Sequence, residues 1–119
     1  MPNAIFIIDD NSAVRLGIRR QLETSGFEVC GEARDGLDAL DKLSRVRPDL
    51  IILDMSMPRM NGIDAARHLK YICPNVPVIL FTEYADVFRR QQILPEGVSE
   101  VVAKGENLLD HVVHSLRES

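Results

Sequence analysis

The sequence predicts an α/β domain built on a five-stranded parallel sheet with helices on both faces. Three observations carry this. Short unbroken apolar runs, such as Ala4-Ile5-Phe6-Ile7-Ile8 and Leu50-Ile51-Ile52-Leu53, suit strands buried on both faces. Between such runs, apolar residues recur at helical spacing, as in Leu109, Val112, Val113 and Leu116. The 119 residues contain no internal repeat and no Ser/Gly linker, so the alternation runs through one domain spanning 1–119.

The first strand is Ala4 to Ile8. Asn11 or Ser12 caps the next helix, which carries Val14, Ile18 and Leu22 on one face and closes at Gly26. Phe27 to Ala33 reads as the second strand, with Phe27, Val29 and Gly31 alternating against Glu28, Cys30 and Glu32. A second helix carries Leu37, Leu40 and Leu43 and stops before Pro48. The third strand ends at Asp54, and a helix from Gly62 to Tyr71 follows with Ile63, Ala66 and Leu69. Val76 to Phe81 forms the fourth strand, ending at Thr82. A short helix spans Asp86 to Ile93 and is cut off by Pro95. Val98 to Ala103 is the fifth strand, ending at Lys104, before the last helix. Right-handed crossovers restrict the topology, and this length suits the flavodoxin-like (βα)5 order 2-1-3-4-5.

Composition excludes several classes. With 45% hydrophobic and 27% charged residues, the chain has the balance of a folded globular domain rather than a disordered one. No apolar run approaches the ~20 residues that cross a bilayer. Met1-Pro2-Asn3 has no basic n-region, so neither a signal peptide nor membrane association is expected and the expected location is cytoplasmic. A formal charge of -4 argues against direct nucleic-acid binding by this chain. Cys30 and Cys73 lack C-x-x-C spacing and read as reduced, buried thiols. His68, His111 and His114 read as surface or packing residues, Met55, Met57 and Met60 as gap fillers, and Arg89-Arg90 as a solvated helix face.

The chemistry concentrates at strand ends. Asp9 and Asp10 close strand 1, Asp54 strand 3, Thr82 strand 4 and Lys104 strand 5. In the order 2-1-3-4-5, strands 1 and 3 are neighbours at the switch point where such sheets bind ligands. Three crowded carboxylates repel one another unless a cation joins them. Mg²⁺ suits an all-oxygen set that includes phosphate and water. Lys104 offers a compact positive charge and Thr82 a hydroxyl to phosphate oxygens. Asp54 remains as the nucleophile, since carboxylates form acyl phosphates.

The set Asp9-Asp10, Asp54, Thr82 and Lys104 resembles the receiver domains of two-component response regulators over nearly the whole chain. The stretch Pro48-Asp49-Leu50-Ile51-Ile52-Leu53-Asp54-Met55-Ser56-Met57-Pro58, followed by Asn61-Gly62, is highly specific for them. The resemblance implies that Asp54 accepts a phosphoryl group from a histidine kinase. It implies that Asp10 binds Mg²⁺ directly, Asp9 mainly through water, Asp54 as a further ligand, and Ser56 through its backbone carbonyl. It further implies that Thr82 moves toward the phosphoryl group and that Lys104 pairs with it. Gly31-Glu32-Ala33, Asp35-Gly36 and Leu53-Asp54-Met55-Ser56-Met57-Pro58 look like the NarL/LuxR-type subfamily. That subfamily usually carries a helix-turn-helix output domain, which would lie outside this chain. A second copy, bound on phosphorylation, is the other implied partner of the switching face.

Three residues depart from the family pattern. Gly105 stands where proline usually follows the lysine, which predicts a more mobile Lys104 loop. Val101 occupies the switch position that often holds Tyr or Phe. Glu83 follows Thr82 where a small residue is usual, and is expected to slow small donors or alter phosphate lifetime, with Tyr84 beside it gating water. These departures leave a degenerate, phosphorylation-independent binding module as the alternative. A haloacid-dehalogenase-type phosphatase would place Asp-x-Asp on the first strand, and a nucleotide-binding flavodoxin-like protein would place a Gly-rich loop after it; neither is present.

Overall fold

Every residue of Leu50–Asp54 is buried, as its unbroken apolar run requires, and this strand forms the middle of the sheet. The computed structural model describes residues 3–118, so the reading of the chain start at Met1-Pro2 lies outside the described residues. The elements are β1 (Ala4–Ile8), α1 (Ser12–Thr24), β2 (Glu28–Ala33), α2 (Gly36–Leu43), β3 (Leu50–Asp54), α3 (Gly62–Ile72), β4 (Val78–Thr82), α4 (Ala85–Gln91), β5 (Glu100–Ala103) and α5 (Leu108–Glu118). All strand pairs are parallel and the order is β2-β1-β3-β4-β5, as expected.

Alternation along each strand divides the core into two layers. Phe6, Ile8, Ile51, Leu53 and Leu80 pack against Ala39, Leu43, Ala65, Leu69 and Ala85 of α2, α3 and α4. Ile5, Ile7, Leu50, Ile52 and Ile79 pack against Ile18, Leu22, Leu108 and Val112 of α1 and α5. Burying each such aliphatic side chain contributes roughly 1.5–3 kcal/mol. Among the described residues, side-chain caps set four helix starts: Asn11 accepts from the Ala13 and Val14 amides, Asp35 from Asp38, Asn61 from Asp64, and Asn107 from Asp110.

Several local expectations are corrected. A bulge between Ile5 and Phe6 passes over Cys30, so the even alternation predicted for β2 breaks. Gly31 lies beneath the Phe6 ring, where a Cβ would come within 2.6 Å of it. Glu32 turns to the opposite face and pairs with Arg15 and Arg19 of α1. Leu37 is exposed, and Ala39 takes its place in the core. β4 begins at Val78 because the Val76 amide is used in a turn onto the Cys73 carbonyl. α4 ends at Gln91, capped by Gln92 in a left-handed φ of 55°, rather than running on to Ile93. β5 begins at Glu100 because the Val98 amide closes a turn onto the Pro95 carbonyl. In α5 the buried stripe is Leu108, Val112 and Ser115, which displaces Val113 from the core.

Candidate functional site

The carboxyl ends of β1, β3, β4 and β5 lie side by side, so residues far apart in sequence meet there. The Asp9 amide donates to the Ala33 carbonyl at 3.0 Å, which carries the β1–β2 ladder one residue past β1. The Asp9 carboxylate accepts from the Asn11 amide at 2.9 Å, and its carbonyl accepts from the Arg15 guanidinium at 2.5 Å. Asp54 closes β3 opposite Phe81, and Thr82 closes β4 opposite Ala103. The Lys104 amide donates to the Thr82 carbonyl at 3.0 Å, and its Nζ lies 3.1 Å from Asp54 Oδ1 and 3.8 Å from Asp9 Oδ2. Asp9, Asp54 and Thr82 are buried while Asp10 is exposed. Asp9, Asp10 and Asp54 each offer an oxygen within 4.8 Å of the others.

The electrostatics are unbalanced. Burial raises the Asp9 and Asp54 carboxyls above the ordinary carboxylate range, although Lys104 pulls both back. Burial works against the Lys104 charge, yet its hydrogen bond to Asp54 and the attraction of Asp54, Asp9 and Glu83 hold its pKa above the usual value. Three carboxylates against one ammonium leave an anionic excess. A hard divalent cation with oxygen ligands fits that excess and that donor set.

The remaining predicted residues surround this centre. The Thr82 hydroxyl accepts from the Tyr84 amide at 3.0 Å, which ties it to the β4–α4 loop. Glu83 and Tyr84 are exposed on that loop, and Ser56 is exposed on the loop after β3. Val101 is buried beneath α4, away from the carboxylates, and its carbonyl accepts from Arg89 at 3.3 Å. Arg89 is therefore more than a solvated helix residue. It also meets Glu106 at 2.5 Å, and Glu106 accepts from the Ala103 amide at 2.6 Å. Gly105 takes a φ of 106°, unreachable for proline with its φ of ~−65°. Glu106 ties the loop after Lys104 to Arg89 and to the Ala103 amide.

Sequence reasoning missed the supports. A Cβ on Gly62 would come 2.1 Å from the Asp54 carbonyl oxygen, so only glycine fits behind the central carboxylate. The Asn61-Gly62 pair is visible in the sequence, but the reason for it is not. Asp35 and Arg59 form a two-pronged ion pair beside the site, and no local signal links them. A concavity lined by Leu43, Arg45, Pro48, Ile72, Cys73 and Val76 opens between the α2–β3 and α3–β4 connections, away from the carboxylates.

Fold and site together define an α/β domain with an acidic cluster and a paired lysine at the switch point of its sheet. The model of the response regulator receiver domain matches residues 5–114. The response regulator protein VraR of Staphylococcus saprophyticus is 32% identical over 120 residues, covering 100% of this chain and 57% of that protein. A two-component response regulator of the LuxR family from Aurantimonas sp. SI85-9A1 superposes with a TM-score of 0.85 at 26% identity, covering 99% of this chain and 87% of that one. TrrA from Thermotoga maritima, solved in complex with Mg²⁺-BeF, superposes at 0.82 with 29% identity, covering 96% of this chain and 98% of that one. The chain belongs to the response regulator receiver domain family, whose members are signal-transduction modules.

Proposed function

We propose that residues 1–119 form a single receiver domain whose Asp54 accepts a phosphoryl group from the phosphohistidine of a sensor kinase. The observation that carries this reading is the Lys104 ammonium 3.1 Å from Asp54 and 3.8 Å from Asp9, beside three converging carboxylates. An Asp54 carboxylate oxygen attacks phosphorus. The bond from phosphorus to the imidazole nitrogen breaks, and that nitrogen keeps the electron pair. Lys104 stays against the phosphoryl oxygens and offsets their charge. Asp9, Asp10, Asp54 and the Ser56 carbonyl would hold Mg²⁺, which supplies further charge neutralisation when bound. Hydrolysis of the acyl phosphate resets the domain, so it promotes its own dephosphorylation without being a turnover enzyme.

Switching follows from Thr82. Its hydroxyl leaves the Tyr84 amide for a phosphoryl oxygen, the β4–α4 loop follows, and the face built from α4, β5 and α5 repacks. Val101 sits within that face. The output is a helix-turn-helix domain outside this chain or a second copy of it, acting in the cytoplasm to control transcription. Incubation with acetyl phosphate and Mg²⁺ followed by intact-mass measurement tests the reading. A single phosphate adduct that vanishes in Asp54→Asn is expected. No adduct from acetyl phosphate or a phosphorylated kinase would favour the phosphorylation-independent module.

A further inference from the structure

The loop between β3 and α3 is held to α2 by an unusual contact. Arg59 Nε donates to Asp35 Oδ2 at 2.7 Å and its Nη2 to Asp35 Oδ1 at 2.9 Å. Two unfavourable features serve this one contact. Asp35 is 1% exposed, so its charge is buried, and the Arg59 hydrogen bonds hold its carboxyl below the usual range. Arg59 adopts a left-handed φ of 63°, a region that favours glycine.

Helix capping explains only part of Asp35. Its Oδ1 accepts from the Asp38 amide at 2.9 Å, a role that a neutral asparagine fills equally well. The charge is needed only for Arg59. The neighbouring residues repeat the docking. The Gly36 amide donates to the Met60 carbonyl at 3.3 Å, and a Cβ on Gly36 would lie 2.7 Å from Met60 Cγ. At its other end, the loop is closed by the Gly62 amide on the Met55 carbonyl at 2.8 Å. Ser56 lies between these two fastenings.

We propose that the Arg59–Asp35 pair is a positioning device for metal binding, bracing the loop after Asp54 so that the Ser56 carbonyl is available to Mg²⁺ beside Asp9, Asp10 and Asp54. This rests on the reading of that cluster as a magnesium site. Neither Arg59 nor Asp35 touches the reacting atoms. Their effect passes through the loop, so it falls on metal affinity rather than on the chemical step.

The test uses the purified chain and Mg²⁺ itself, followed by titration calorimetry and by acetyl-phosphate labelling across Mg²⁺ concentrations. Arg59→Gly removes the fork and relieves the backbone, Asp35→Asn keeps the cap, and Arg59→Lys keeps the charge without the fork. Arg59→Gly and Asp35→Asn are expected to weaken Mg²⁺ binding about tenfold, as loss of a partner behind a metal ligand does. Arg59→Lys should fall between them and the native chain. The labelling rate at saturating Mg²⁺ should stay within about twofold of native, the signature of a lost binding contribution. Unchanged Mg²⁺ affinity with only a lower melting temperature would overturn the proposal. A native chain that binds no Mg²⁺ overturns the metal reading and the proposal with it, and the native titration alone reveals that case.

Discussion

The two halves of the site are built differently. On the β1–β3 side, Asp9 is fixed by the Asn11 and Ala33 contacts, Asp54 rests against Gly62, and the adjoining loop is fastened by Arg59. On the β4–β5 side, the Thr82 hydroxyl accepts from the Tyr84 amide of its own loop, Glu83 and Tyr84 are exposed, and α4 has just seven residues. Val87, Ile93 and Leu94, on and after α4, are also exposed. On the proposed function, the bracing at Asp54 suits a fixed metal site and nucleophile, while the looser half suits a part that responds. Conformational elements are drawn from weakly packed regions for that reason.

The largest effect should come from breaking the rigid half. Gly62→Ala puts a methyl 2.1 Å from a backbone oxygen that cannot swing aside. It should destabilise by roughly 2–3 kcal/mol, read as a lower urea midpoint with unchanged slope. A native midpoint would show that the close approach relaxes freely.

Next come two buried carboxylates with opposite pH signs. The Asp54 carboxyl is raised in the fold, so its favourable contribution is present below the unfolded value and is lost as pH rises through the folded one. Without Mg²⁺, Asp54→Asn should therefore stabilise increasingly as pH rises above the unfolded value of about 4. Asp35 is lowered, so its contribution is present above the unfolded value and is lost as pH falls through the folded one. Asp35→Asn should lower stability at neutral pH, by an amount that solvent around the half-exposed Arg59 limits, and progressively less in acid. Parallel pH profiles for the two variants would contradict this division.

Smaller effects probe the responsive half. Glu106→Gln weakens the tie between Arg89 and the Ala103 amide by about 0.5 kcal/mol, so amide exchange should quicken at Ala103 and Lys104. Glu83→Ala should raise the acetyl-phosphate labelling rate or lengthen the adduct lifetime by removing a negative charge near Lys104. Equal rates and equal decay would show that Glu83 stands clear of the donor's path.

What was legible in the sequence follows the same division. Strand ends were readable because apolar runs stop at Asp9, Asp54 and Thr82, and a parallel sheet must gather such ends along one edge. Asn11 was readable as a cap because its partners lie two and three residues away. Asp35 and Arg59 were not, because they meet across 24 positions and neither marks a period or a turn. The bulge at Ile5/Phe6 was hidden because the register depends on both strands. The end of α4 was hidden because Gln92, rather than a glycine, takes the left-handed turn. The Arg89–Glu106 tie beside Gly105 was hidden because its partners lie 17 positions apart.

Hydrogen exchange with and without Mg²⁺ and acetyl phosphate tests the division of the site most directly. Once Mg²⁺ is bound, phosphorylation should change exchange in residues 82–91 and 103–107 and leave residues 55–62 as they were. A response centred on residues 55–62, with the β4–α4 and β5–α5 loops unmoved, would contradict the account.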